Sequence, residues 1–203
     1  MDDAPTPAAG GDSLRRAITG LATEFLARAA EGDDLRTMPA DLVQRAKSAG
    51  LFRINLPRSL GGLELDPLTS IEIFEEISRA DGSAGWTIVI GNSTAFFAWL
   101  DPAVAKELIA GEYDFVSTSM WAPLGRARPG SGGRLTVSGR WPFNSGCLHA
   151  SWLQVGVLVT ESQAPRLRAP GIPDWRFAFV PAAWQSSRTP GTRWGCAAPA
   201  AIT

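Results

Sequence analysis

Along the first half of the chain, apolar residues recur at helical spacing. Leu14, Ile18, Leu21, Ala22, Phe25 and Leu26 make one stripe, Ser13 stands where a cap belongs, and the polar run at 31–34 marks the end. Before it, residues 1–12 are Pro, Ala, Gly and Asp without periodicity and read as a disordered lead. Pro39 opens a second helix, with Leu42, Val43 and Ala46 inside and Gly50 as the residue just past its end. An extended segment at 51–57 follows and closes in a turn at Leu60-Gly61-Gly62. Asp66 and Pro67 start a third helix, carrying Leu68, Ile71, Phe74, Glu75 and Ile77, with Ile73 widening the face. After the break at 81–85, Ser83 caps a fourth helix through Trp86, Ile88, Val89 and Ile90 towards Phe97. Asp101-Pro102 begins a fifth, with Val104, Leu108 and Ile109, stopped by Gly111.

After Tyr113 the period changes from helical to alternating. Residues 115–118, 135–138, 152–159 and 175–180 read as strands, and 123–133, rich in Pro and Gly, as turns. The fold class is therefore α+β. A helical domain at 13–112 precedes a β part at 113–182, and residues 183–203 lose all alternation. No internal repeat is visible.

Composition narrows the function. The chain is 45% hydrophobic and 19% charged, ordinary for a domain with a core, and its net charge of −1 gives no bulk attraction to nucleic acid or an anionic membrane. No apolar run is long enough to cross a bilayer. Cys147 and Cys196 are too few and too far apart for a disulfide framework, and one histidine makes a metal site unexpected. A cytoplasmic setting is the expectation.

The candidate chemistry sits at 139–152, which holds two of the eight tryptophans, one cysteine and the only histidine. Aromatics beside small hydroxyl residues at a strand end suit a flat, partly polar ring. The plainer reading is a buried hairpin in which either Trp141 or Phe143 is core, Ser145 caps a turn, and Cys147 and His149 are structural. No G-x-G-x-x-G opens a helix, so a dinucleotide-binding βαβ unit is not supported.

Leu51-Phe52, then Pro57-Arg58-Ser59-Leu60-Gly61-Gly62, then Ser78-Arg79-Ala80-Asp81-Gly82-Ser83 resemble the N-terminal helical domain of the acyl-CoA dehydrogenase superfamily. Gly139-Arg140-Trp141-Pro142-Phe143-Asn144-Ser145-Gly146, with Pro123-Leu124-Gly125-Arg126-Ala127 and Gly132-Gly133, resembles its flavin-dependent, two-component (group D) monooxygenase branch. Acyl-CoA dehydrogenases proper carry T-E-P and W-I-T-N where this chain has Met120-Trp121-Ala122-Pro123 and Phe143-Asn144-Ser145-Gly146.

The resemblance implies an incomplete antiparallel β-barrel-like middle domain, with the family's C-terminal four-helix domain missing. It implies a flavin, FAD or FMN, flanked by Ser119, Trp121 and Pro123 and by Phe143, Asn144 and Ser145. Phe143 takes the aromatic position, Ser145 bonds the ring edge near N5, and Asn144 offers backbone groups. The implied function is flavin-dependent oxidoreduction: monooxygenation of a small aromatic molecule with reduced flavin from a partner reductase. The alternatives are α,β-dehydrogenation of an acyl-CoA thioester and a non-catalytic interaction module. Without the C-terminal domain, weak or absent activity is expected and the family's homo-oligomer is in doubt. The catalytic residue and the substrate stay unassigned.

The tail carries one further signal. With GC-rich codons, residues 188–203 taken one base out of frame spell D-T-W-D-A-L-G-L-R-G-T-G-S-H-H. That resembles the family's "dtW…GlrGTGS" segment, which follows a strand such as 177–181. Trp194 has one codon, ending in G, so the shifted residue over Gly195 is glycine whichever codons are chosen. The expectation is a reading-frame slip near 181–184, leaving a tail with few core contacts.

Overall fold

The structure, a computed structural model, describes residues 10–109, 115–131, 135–161, 164–184, 186–187, 195–197 and 200–202. The chain forms two compact units, Met1–Val116 and Ser117–Thr203.

The first unit contains α1 (Gly10–Ala27), α2 (Ala29–Leu35), α3 (Ala40–Ser48), α4 (Pro67–Ala80), α5 (Gly82–Gly91) and α6 (Pro102–Ile109). Its core gathers Ile18, Leu21 and Phe25 from α1, Leu42, Val43 and Ala46 from α3, Ile73 and Ile77 from α4, and Ile88 from α5. Asp66, Asp101 and Gly50 act where expected, while the caps expected at Ser13 and Ser83 do not form there. The helix expected to be capped by Ser13 already begins at Gly10, and the polar run at 31–34 lies inside α2. Asp66 accepts from the Leu68 and Thr69 N–H groups, with Pro67 behind it. Asp81, not Ser83, caps α5, accepting from the Ser83 and Ala84 N–H groups. Gly50, at φ +79°, follows α3 as expected.

Two further expectations change. The inner face of α4 is Ser70, Ile73 and Ile77, whereas Leu68 and Ile71 are 74% and 60% exposed. Residues 51–57 form no strand, yet Leu51, Phe52, Ile54 and Leu56 are wholly buried. Buried backbone needs partners, and side chains supply some of them here. The Asn92 amide donates to Leu51 O at 2.8 Å, its carbonyl accepts from Asn55 N at 3.3 Å, and the Thr94 hydroxyl donates to Phe52 O at 2.9 Å. Asn92 also ends the fourth predicted helix early, and residues Ser93–Trp99 continue as 3₁₀ turns.

The second unit is built on β1 (Ser117–Pro129), β2 (Leu135–Ser138), β3 (Arg140–Pro142), β4 (Trp152–Glu161), β5 (Ala164–Pro165), β6 (Leu167–Ala169), β7 (Ile172–Pro173) and β8 (Trp175–Pro181). β4 is central: β1 lies on one side and β8 on the other. Most pairings are antiparallel as expected, but β1 runs parallel to β4. The run at 123–129, expected as turns, is the second half of β1 and pairs with β2 through Arg126, Ala127, Arg128 and Pro129. One face of this sheet packs Ala127, Val137, Leu153, Val155, Val157, Val159, Ala178 and Val180 around Trp141. In the tail, β9 (Ser186–Ser187), β10 (Gly195–Ala197) and β11 (Ala200–Ile202) form ladders, β10 with β3 and β9, β11 with β2.

Candidate functional site

The expected site residues fall in two short segments of the β unit. The first is a bulge in β1. Its partners on β4 jump from Met120 opposite Val155 to Gly125 opposite Val157, so residues 121–124 leave the ladder. Pro123, which lacks an N–H, sits within it. Trp121 and Leu124 are 48% and 52% exposed, and Pro123 is exposed. Gly156 makes the bulge possible. A Cβ there would lie 2.2 Å from Trp121 O and 2.6 Å from Ala122 O, both backbone atoms that would have to shift. Ser119, partly buried, precedes the bulge and pairs across the ladder with buried Gln154.

The second segment is the turn after β3. Trp141 is fully buried and Phe143 is 73% exposed, which decides between the two aromatics. The Trp141 ring lies on Gly125, where a Cβ would meet it at 2.1 Å, and its Nε1–H donates to Gly156 O at 2.8 Å. Gly156 thus joins the segments, lying under the bulge and accepting from the indole that anchors the turn.

Phe143 holds φ +62°, a left-handed backbone that costs a non-glycine residue about 1–2 kcal/mol. The turn closes on itself: Ser145 N–H donates to Phe143 O at 2.9 Å, Cys147 N–H to Asn144 O at 3.2 Å, and His149 N–H to Gly146 O at 2.9 Å. Asn144 is buried, and its side-chain amide nitrogen and oxygen have no partner among the described residues. Cys147 is buried in the core cluster, and His149 is half-buried. An exposed aromatic in a strained backbone beside an unpartnered amide is an arrangement found at binding sites.

Three aromatic rings line the sheet face opposite the core. Phe177 lies 5.6 Å from Trp121 and 4.6 Å from Trp175, centroid to centroid, both edge-to-face. On the same face the Gln154 amide donates to Ser117 Oγ at 3.0 Å. Asp174, just before β8, is buried and accepts from Arg166 Nε at 3.0 Å and Arg176 Nε at 2.9 Å. Hydrogen bonds from Arg176 first, then Arg166, hold its carboxyl at about 2, below the usual range.

The sequence reading missed Gly156, Phe177 and Trp175. A lone glycine breaking the apolar run Leu153-Gln154-Val155-Gly156-Val157 was the available signal. Elsewhere, a cavity of about 300 Å³ in the helical unit is ringed by Phe25, Arg28, Arg36, Met38, Leu42 and Asp81, and none of the expected site residues lines it. Among the described residues, no group of three His, Cys, Asp or Glu side chains stands ready for a metal. Nor is any helix among them long and apolar enough to cross a membrane.

Residues 11–103 match the family model of the acyl-CoA dehydrogenase N-terminal domain. The oxygenase subunit HsaA of a flavin-dependent monooxygenase from Rhodococcus jostii is 33% identical over 139 residues, 68% of this chain and 36% of that protein. Indole-3-acetate monooxygenase of Acinetobacter baumannii is 32% identical over 167 residues, 81% of this chain and 41% of that protein. Among solved structures, 3-HSA hydroxylase from Rhodococcus sp. RHA1 superposes with a TM-score of 0.81 at 25% identity, over 94% of this chain and 50% of that one. The chain spans well under half the length of these two curated relatives.

Proposed function

The chain belongs to the acyl-CoA dehydrogenase superfamily, and from that premise we propose that its β unit binds a flavin for monooxygenation of a small aromatic compound. One observation carries the reading: Trp121, 48% exposed, and Phe143, 73% exposed, stand on two segments joined at Gly156, next to the Asn144 amide that no described residue partners. A flat heteroaromatic ring fits these residues. Trp121 and Phe143 offer it apolar faces, Ser119 and Ser145 offer hydroxyls to its edge, and Pro123 and Asn144 shape its surround.

The flavin, once reduced, supplies the electrons that activate oxygen. This chain's residues orient the ring and exclude water from its face. A separate reductase delivers the reduced flavin, in keeping with the relatives' names as oxygenase subunits and components. The relatives that match across both units are monooxygenases, which favours oxygenation over thioester dehydrogenation.

The test is reconstitution. The chain is mixed with chemically reduced flavin, oxygen and a panel of phenols and indoles, and products are analysed by mass. Oxygenated aromatic product supports the reading. Flavin bleaching by an acyl-CoA thioester without oxygen points instead to dehydrogenation. Absence of flavin binding by the folded chain leaves an interaction module.

The proposal extends to the tail: residues 183–203 arise from a slipped reading frame. DNA sequence across codons 178–203 decides it, and codons that do not spell the D-T-W…G-L-R-G-T-G-S segment in the shifted frame rule it out.

A further inference from the structure

The sheet face opposite the core divides into an aromatic half and a basic half. In one row across four strands, Ser138 of β2 pairs with Arg126 of β1, Arg126 with Leu158 of β4, and Leu158 with Trp175 of β8. One step along, Arg128 pairs with Thr136. Arg126, Arg128, Thr136 and Ser138 are all exposed and alternate with the core residues Ala127 and Val137, so they share the face that Trp175 and Phe177 occupy.

These arginines differ from the others on the sheet. Arg166 and Arg176 are spent on Asp174. Arg126 and Arg128 make no ion pair or side-chain hydrogen bond among the described residues, and neither β1 nor β2 carries a carboxylate. In a chain with net charge −1, two guanidiniums that no described carboxylate pairs, flanked by two hydroxyls, form a concentrated set of donors. Residues two apart on a strand lie about 7 Å from each other, so both guanidiniums can close on one anionic group.

The neighbouring aromatics say what the anion is attached to. Trp175 stands two strands from Arg126, about 10 Å across the sheet. From Trp175 the rings continue through Phe177 to Trp121 at the bulge. A ligand matching the whole face has a flat ring at one end and an anion at the other.

We propose that Arg126 and Arg128, with Thr136 and Ser138 beside them, hold the phosphate at the end of a flavin nucleotide's ribityl chain while the ring lies by Trp121. The inference rests on the flavin reading above and adds the residues that distinguish the phosphorylated cofactor from riboflavin. The phosphate is the monoester of FMN or the first phosphate of FAD. The monoester presents three terminal oxygens and the first phosphate of the pyrophosphate two, and either set can accept from a guanidinium fork.

The experiment titrates the 203-residue chain with riboflavin, FMN and FAD, following flavin fluorescence, at low and moderate salt. The expected result is that FMN, FAD or both bind about ten-fold or more tightly than riboflavin, and that salt narrows the gap. The double variant Arg126→Gln/Arg128→Gln brings the nucleotide down to the riboflavin level and leaves riboflavin unchanged. Arg126→Lys/Arg128→Lys retains part of the preference because the charge stays but the fork is lost. Inorganic phosphate weakens FMN binding to the native chain but not riboflavin binding. Whether FMN or FAD gains more tells the monoester from the pyrophosphate. Equal binding of riboflavin and both nucleotides overturns the proposal and leaves the flavin reading standing. So does a double variant, folded by circular dichroism, that keeps the nucleotide preference. Failure of the native chain to bind any of the three sinks both.

Discussion

The helical unit and the β unit treat their buried polar groups differently. In the helical unit Asn92, Ser70 and Thr94 are buried and bonded, each to the irregular stretch around 51–55. Of its described side chains only Arg53 leaves a buried atom, Nε, without a partner. In the β unit the Thr118 and Thr160 hydroxyls and both side-chain amide atoms of Asn144 are buried without a partner among the described residues. Both units expose large rings, Trp86 and Trp99 in the first and Trp121, Phe143 and Trp175 in the second, so exposure alone does not separate them. The first unit has spent its polar groups on its own architecture. The second keeps buried donors and acceptors without a partner among the described residues, and that is where a ligand gains most.

The contrast can be broken most directly at Gly156. Gly156→Ala drives a methyl group into two carbonyl oxygens, so a loss of about 3 kcal/mol or more is expected, measured by denaturant unfolding. A variant as stable as the native chain removes Gly156 from its place as the joint. In the helical unit, Ile77→Ala should cost about 2–5 kcal/mol while Ile71→Ala, three-fifths exposed, stays within about 0.5. Equal effects would show that the inner face of α4 is the one the sequence suggested. Phe143→Gly sharpens the comparison from the other side. Relief of the left-handed backbone should raise stability by about 1 kcal/mol while flavin affinity falls. A parallel fall in both would make Phe143 a packing residue.

The smallest effect is an acid one. Asp174 titrates at about 2 in the folded chain against an ordinary 3.8. A depressed carboxyl stabilises the fold fully above its unfolded value, so its contribution is intact above about pH 4 and drains away as pH falls towards 2. Asp174→Asn should flatten the acid limb of the stability curve, and an unchanged limb would mean that the Arg166–Asp174–Arg176 cluster is not what acid attacks.

Helix existence was legible because an amphipathic stripe repeats within one element: Ile18, Leu21 and Phe25, or Leu42, Val43 and Ala46, need no knowledge of their partner. Caps were legible in kind, since Asp66-Pro67 and Asp101-Pro102 act through neighbouring N–H groups. Which face of α4 turns inward was not, because Leu68 and Ile71 are as apolar as Ile73 and Ile77, and only the surrounding elements choose. The strands at 135–138, 152–159 and 175–180 were legible by alternation. The extent of β1 was hidden because Pro123, Gly125 and Pro129 signal turns, and a bulge lets a strand carry them.

At the candidate site the inventory is written locally in the sequence: aromatics, hydroxyls and an amide at 119–123 and 143–145. The tertiary structure alone decided that Trp141 is buried while Phe143 stands out, that Gly156 ties bulge to turn, and that Arg126 shares a row with Trp175. The reason is the range of the interactions. Periodicity and capping act over a few residues and are written locally. Strand register, ring-on-glycine packing and the pairing of charges across a sheet join residues far apart in sequence, and exist only once the chain has folded.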